Sequence, residues 1–262
     1  MYIKKPAEIA KIQEGGQLMG EILEKLVPLV KPGVSGYEID AEAERLILAA
    51  GGRPAFKGYR SRKSDPPFPA TICFSLNEEV VHGIPIKDKI IKDGDLVSLD
   101  IGMEYPVSGF FTDTALTIAV GKVPEKSQKL LDVTREALEV GIRAAQPGKS
   151  VADIGRAIED YVRSQGKYGI VEDLTGHGVG HAVHEDPPVP NYYDKNLKDW
   201  ILQPGVVIAI EPMITLGTHR VDIARDGWTI FTADKSMSAH FEHTLIITEA
   251  GPVVVTRRPT EK

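Results

Sequence analysis

The 262-residue sequence repeats itself, and that repeat limits the possible folds more than any single segment does. Lys31-Pro32-Gly33-Val34-Ser35 matches Gln146-Pro147-Gly148-Lys149-Ser150. At the same offset of 115, Ile39 meets Ile154, Glu44 meets Glu159 and Gly51 meets Gly166. Farther on, Lys92-Asp93-Gly94 leading into Asp95 to Asp100 aligns with Gln203-Pro204-Gly205 leading into Val206 to Glu211, which sets Asp100 on Glu211. Asp113 to Ile118 aligns with Glu242 to Ile247, which sets Asp113 on Glu242. Each match is short, but all occur in the same order. Two α/β halves related by a pseudo-twofold axis follow, each contributing two acidic residues at corresponding strand positions, so that four carboxylates converge.

The local patterns supply the elements of each half. Ile9, Ile12, Leu18, Ile22, Leu23 and Leu26 recur at helical spacing and stop at Lys31-Pro32-Gly33. A second helix runs from about Tyr37 to Ala50, with Ser35 as N-cap, Glu38 three residues later and Gly51-Gly52 closing it. Further helical patterns cover Pro124 to Ala145 and Val151 to Gln165. Strands are predicted at Thr71 to Ser75, Leu96 to Met103, Phe110 to Val120, Val206 to Ile210, Trp228 to Thr232 and Phe241 to Thr248.

Composition narrows the function. With 31 basic and 37 acidic side chains the formal charge is −6, so neither a nucleic-acid substrate nor a polybasic membrane contact is expected. No window approaches a membrane span, because Leu18 to Val30, the most apolar, contains Glu21, Glu24 and Lys25. The stretch Met1 to Ile12 has no long apolar core, so no signal peptide is expected, and a cytoplasmic protein is. The single cysteine, Cys73, excludes an intrachain disulfide framework and a cysteine-rich zinc module. Cys73 lies in the apolar run Ile72-Cys73-Phe74, where a cysteine packs as a small hydrophobe. The Gly-x-Ser-x-Gly, phosphate-loop and His-Glu-x-x-His patterns are absent.

The run Val206 to Ile210 is apolar on both faces, as in a buried strand, yet it ends in Glu211. A buried carboxylate needs compensation, and four together raise one another's pKa. Two divalent cations supply it, +4 against −4. Nitrogen ligands are available in Gly176-His177-Gly178-Val179-Gly180-His181-Ala182-Val183-His184, where glycines allow close backbone approach. An oxygen-rich set with one imidazole suits manganese, iron(II), cobalt or zinc, and the ligands leave the choice among them open. His82 takes the same position in the first half that His184 takes in the second. Two neutral imidazoles beside the cations can hydrogen-bond a scissile carbonyl and pass a proton to a leaving amine.

Five segments together, Leu99-Asp100-Ile101-Gly102, Phe111-Thr112-Asp113-Thr114, Gly176-His177-Gly178-Val179-Gly180, Ile210-Glu211-Pro212-Met213 and His240-Phe241-Glu242-His243-Thr244, resemble the type I methionine aminopeptidases. The resemblance covers essentially the whole chain. It implies a pita-bread α/β fold with helices outside a curved antiparallel sheet, a single catalytic domain over residues 1–262 with halves near 1–121 and 122–262, and two divalent metal ions. It further implies removal of the initiator methionine from the N-termini of nascent polypeptides when the second residue is small.

By motif, Asp100 would hold one ion, His177 and Glu211 the other, and Asp113 and Glu242 both. Glu211 would also accept a proton from the attacking water, while His82 and His184 would steady the carbonyl oxygen and the scissile amide. The resemblance sets Tyr59, Phe68, Cys73, Val183 and Trp228 around an apolar methionine pocket. Ribosome association and a monomeric state are family-level expectations.

The chain departs from the bacterial type I pattern in three ways. Lys57 to Pro67 is longer than usual, Asp113 stands thirteen positions after Asp100, and His181 replaces a common Arg. The interval of 34 from His177 to Glu211 is too short for the insertion that marks type II, and no zinc-finger extension is expected. Two other readings are a proline-specific peptidase of the same fold, such as prolidase or aminopeptidase P, and a non-catalytic binding module. The residues after Glu242, His243 and Thr244, depart from the proline peptidases, where an Asp follows the last bridging Glu. The retention of all five ligand positions argues against a binding module.

Overall fold

The computed structural model describes residues 3–60, 62, 63 and 65–261. Met1, Tyr2, Ser61, Ser64 and Lys262 lie outside the described residues, and with them parts of the Met1 to Ile12 and 57–67 stretches. Four long helices form where the periodicity requires them: α1 (Pro6–Leu26), α2 (Gly36–Ala49), α3 (Glu125–Ala144) and α4 (Val151–Gln165). None among the described residues is long and apolar enough to cross a membrane.

The repeat reappears as paired hydrogen bonds. Ser35 Oγ accepts from the Glu38 N–H and the Glu38 carboxylate accepts from the Ser35 N–H. Ser150 and Asp153 make the same reciprocal pair at the start of α4. Each box satisfies two N–H groups that a helix leaves open at its start. Gly33 and Gly36 donate to the Ile91 and Lys89 carbonyls, as Gly148 and Val151 donate to those of Leu202 and Trp200. Ser35→Ala is expected to cost about 1 kcal/mol, which lowers the thermal midpoint by about 2–4 °C. Calorimetry on that variant and on Ser150→Ala checks this, and an unchanged midpoint in both would remove the capping argument.

Nine strands form an all-antiparallel central sheet. Its order is Arg53–Pro54, Leu96–Tyr105, Phe110–Ala119, Glu242–Thr248, Val207–Ile210, Gly176–Gly178 and Glu185–Val189. Ile72–Leu76 also pairs with Leu96–Tyr105, and Gly251–Val254 with Glu242–Thr248. The two halves meet where Glu242 faces Ala115 and His243 faces Thr114. The seam is tied by side chains, because Thr244 Oγ1 donates to the Asp113 carbonyl and accepts from the Asp113 N–H, while Thr114 Oγ1 donates to the Glu242 carbonyl.

Both faces of this sheet are covered. Val97, Leu99, Ile101 and Met103 alternate onto the helix side and are fully buried in the main core with Leu23, Leu26, Leu130 and Ile158. Burying each such side chain contributes about 1.5–3 kcal/mol. Ser98, Asp100 and Gly102 alternate onto the other, concave side, and that side carries the chemistry.

Several strands have no signal in the sequence. Gly176–Gly178 pairs with Val207–Ile210 although glycine disfavours strands, because the Ala209 carbonyl would lie only 2.4 Å from a Cβ at position 176. Met213–Thr215 and Ser238–His240 are three-residue strands of a separate small sheet with Gly169–Ile170. Trp228 and Thr229 precede the strand, which begins at Ile230.

Candidate metal centre and substrate cavity

Register alone brings the acidic residues together. Cross-strand partners share a face, and so do residues two apart along a strand. Asp100 is paired with Ala115, Ala115 with Glu242, and Asp113 lies two residues before Ala115. In the other half Ala209 is paired with His177 and with Thr244, and Glu211 lies two residues beyond Ala209. The five side chains therefore rise from one face, with the small buried residues Ala115 and Ala209 between them. Donor atoms of Asp100, Asp113 and Glu242 lie within 4.8 Å of one another, as do those of His177, Glu211 and Glu242. His177 Nε2 is 3.5 Å from Glu211 Oε1 and 3.9 Å from Asp113 Oδ2.

The cluster is electrostatically incomplete on its own. Asp100 Oδ1, Asp113 Oδ1 and Glu242 Oε1 are buried without a hydrogen-bond partner. Burial first, and then the neighbouring Asp100 and Glu211, push Asp113 well above the usual aspartate value. Glu242 is pushed well above the glutamate value by burial and by Asp113, Glu211 and Asp100. Burial raises Asp100 to about 6, and raises Glu211 against the pull of His240. An unpaired buried polar atom costs about 1–3 kcal/mol, and more when charged. Divalent cations offset both the burial and the repulsion, so the residues present fit a metal centre of oxygen donors with one imidazole.

Occupancy of such a site must expel protons. Between pH 5 and 6 the apparent affinity for Mn²⁺ is expected to rise about tenfold per unit for each proton expelled. Asp100, raised to about 6, must lose its proton, whereas His177, lowered to about 3 mainly by burial, is already neutral. Titration calorimetry in two buffers of different ionisation enthalpy counts those protons. A pH-independent affinity over this range would remove the assignment.

His177 Nδ1 lies 2.9 Å from the Gly178 carbonyl, so Nδ1–H donates there and Nε2 keeps its lone pair for a cation. His184 stands over this ring at 4.4 Å between centroids, and its Nδ1 is 2.8 Å from the Tyr59 hydroxyl. His82 faces Trp228 at 6.3 Å. Burial lowers both His82 and His184 to about 4, so both are neutral near pH 7 and each keeps one N–H to donate.

A partly open cavity of about 140 Å³ has the carboxylates at one end and is lined by Phe56, Tyr59, Phe68, Cys73, Trp228 and Met213 together with His82 and His184. Phe68 and Trp228 meet edge to face at 5.3 Å. Val183 is buried behind this wall against Phe68 and Cys73 and does not line the cavity. The long 57–67 segment does not displace Tyr59, because Gly58 N–H donates to the Phe68 carbonyl and Phe68 N–H to that of Tyr59, both at 2.8 Å. Those two bonds tie the two ends of this segment together and leave Tyr59 and Phe68 side by side. Cys73 faces Asp100 across the sheet, and burial followed by that carboxylate pushes its thiol well up, which keeps it a thiol.

Sequence reasoning overlooked His240 as a site residue. It is 1 % exposed, and its Nε2 lies 3.4 Å from Glu211 Oε2. The available signal was its position two residues before Glu242. Leu174 and Met213 of the cavity wall had no signal of their own. A second acidic cluster, Glu139 and Glu261 around His243, is already neutralised by Arg257 and Arg258.

Comparison with known proteins agrees with this geometry. Residues 10–249 match the model of metallopeptidase family M24. The chain is 46 % identical over 252 residues to the methionine aminopeptidase of Aquifex aeolicus, covering 95 % of this chain and 96 % of that one. It superposes on the methionine aminopeptidase of Thermotoga maritima with a TM-score of 0.92 at 38 % identity, covering 98 % and 100 % of the two chains. The prolidase of Pyrococcus horikoshii shares the fold, with a TM-score of 0.75 at 24 % identity, but the match covers only 63 % of it. With five acidic and imidazole donors on one sheet face and these relatives matched end to end, the chain belongs to metallopeptidase family M24, among its methionine aminopeptidases.

Proposed function

We propose that the chain is a metalloaminopeptidase that removes the initiator methionine from nascent polypeptides whose second residue is small. The observation that carries this reading is the junction of three unpartnered buried carboxylate oxygens with a largely apolar cavity. In this reading Asp100, Asp113, His177, Glu211 and Glu242 would hold two divalent ions, manganese, iron(II), cobalt or zinc. Such ions supply Lewis acidity toward the carbonyl and a water acidic enough to attack it near neutral pH.

The remaining steps belong to the chain's own groups. Phe68, Trp228, Tyr59 and Cys73 enclose the methionine side chain and exclude water, with Val183 supporting them. His184 and His82, both neutral, donate N–H groups to the carbonyl oxygen and the scissile amide. Glu211 accepts the proton of the attacking water, a role that its place at the edge of the carboxylate cluster, on the cavity wall, allows. The reading extends to one catalytic domain over residues 1–262, with halves near 1–121 and 122–262. It also extends to a monomer acting in the cytoplasm on chains emerging from the ribosome.

Metal-stripped protein resupplied with each ion and offered Met-Ala-Ser, Met-Leu-Ser and Ala-Pro-Ala tests the reading. Metal-dependent cleavage of Met-Ala-Ser alone is expected. Turnover of Ala-Pro-Ala instead would indicate a proline peptidase, and no turnover with any ion would indicate a binding module.

A further inference from the structure

The segment ahead of α1 reaches the active-site cleft through one buried ion pair. Lys4 Nζ lies 2.6 Å from Glu185 Oε2, and the two side chains are 1 % and 4 % exposed. The Lys4 N–H donates to the Gly205 carbonyl at 2.7 Å and Ile3 bridges Val206, so the lysine is anchored to the chain entering the Val207–Ile210 strand, which leads into Glu211. On the other side, Glu185 Oε1 accepts the N–H groups of His181 and Ala182. One carboxylate thus closes the 181–185 turn on itself and fastens it to Lys4. Gly180, at φ +133°, is pressed on the lysine stem, where a Cβ would lie 2.5 Å from Cε.

That turn carries two residues of the cleft. Val183 backs the apolar wall against Phe68 and Cys73, and His184 stands over His177 with its Nδ1 on Tyr59. A buried ion pair is a poor source of stability, since apolar residues of similar volume do as well or better. It does supply direction, because an apolar side chain cannot accept two backbone N–H groups while meeting a third group at a fixed angle.

We propose that Lys4 and Glu185 are positioning residues for the reaction, holding the 181–185 turn so that the His184 ring stands where it donates to the substrate; this rests on the function proposed above. Neither residue lines the apolar cavity. Lys4→Met leaves the carboxylate without its ammonium, and Glu185→Gln keeps the shape while setting an amide N–H₂ against that ammonium.

Both variants are to be compared with the parent by Mn²⁺ stoichiometry, by kcat and KM for Met-Ala-Ser, and by backbone amide exchange. The expected result is unchanged metal stoichiometry, kcat lower by at least about tenfold with KM within about threefold, and faster exchange at His181 and Ala182, whose N–H groups Glu185 accepts, but not at Thr244. The double variant is expected to be no slower than the worse single one, because the pair acts as a unit.

Faster exchange at His181 and Ala182 with kcat unchanged would overturn the proposal, as would a kcat loss accompanied by faster exchange throughout the sheet, which is ordinary destabilisation. Should Lys4→Met not fold, Glu185→Gln alone gives the same readouts. A parent protein that cleaves no peptide with any metal overturns the proposed function instead, and exchange at His181 and Ala182 then still decides whether the pair holds the turn.

Discussion

Glu242→Gln and Asp113→Asn are each expected to lose metal binding and activity together, while the metal-free proteins stay at least as stable as the parent at pH 7.5. The two halves of that result have one cause. Asp113 and Glu242 are buried, each has an oxygen without a hydrogen-bond partner, and each is pushed well above its ordinary pKa by burial and by its acidic neighbours. Replacing either by a neutral amide of the same shape relieves that repulsion in the metal-free state. The same change removes a charge from the position where both donor clusters meet, since Glu242 belongs to each and Asp113 stands 3.9 Å from His177 Nε2.

Activity should fall by more than about a hundredfold, the upper range for losing a mere supporting partner of a metal ligand. In the parent, Mn²⁺ at a hundred times its Kd is expected to add about 2.7 kcal/mol of stability. The variants should show no such gain. Thermal melts with and without Mn²⁺ read both halves, and a variant that still gains stability from Mn²⁺ as the parent does would remove that residue from the metal centre.

His184→Ala is expected to separate metal binding from turnover. The neutral imidazole stands at the junction of the carboxylate cluster and the apolar cavity, and its Nδ1 is engaged by Tyr59, which leaves Nε2 for the proposed contact with substrate. Removing a positioned proton donor costs about 10²–10⁴ in rate. Mn²⁺ stoichiometry should stay at the parent value while kcat for Met-Ala-Ser falls within that range. Because a His184 nitrogen lies within 4.8 Å of donor atoms of Asp113 and His177, the outcome discriminates between two roles. Loss of an ion from the variant would make His184 a ligand, and full activity would remove it from the reaction.

Much of this architecture was legible because its determinants are local or periodic. Ser35 with Glu38 and Ser150 with Asp153 start α2 and α4 through bonds spanning three residues, so a short window contains the whole cause. The long strands were legible for a different reason. Leu99 and Ile101 face a helix layer while Ser98 and Asp100 face a buried cleft, which yields a nearly unbroken run of buried positions. Gly176–Gly178 was not legible as a strand, because what makes it one is the lack of room beside Ala209, more than thirty residues away.

The site divides along the same line. Aligning the two halves named four carboxylates, since the repeat preserves residue type at equivalent positions. It could not find His240, whose contact with Glu211 exists only after the Ser238–His240 strand joins its small sheet beside the cleft. Nor could it find that Val183 supports the cavity wall from behind, or that two backbone bonds tie the ends of the 57–67 segment together and set Tyr59 beside Phe68. The sequence by itself determined which elements form, that they form twice, and which ionisable residues the repeat brings into correspondence. The tertiary structure decided which groups lie within a few ångströms of those residues, and so their pKa values, the shape of the cavity and the tie from Lys4 to the His184 turn. Helical and strand periods are set by neighbouring residues, whereas burial, dielectric and contact depend on atoms brought in from distant parts of the chain.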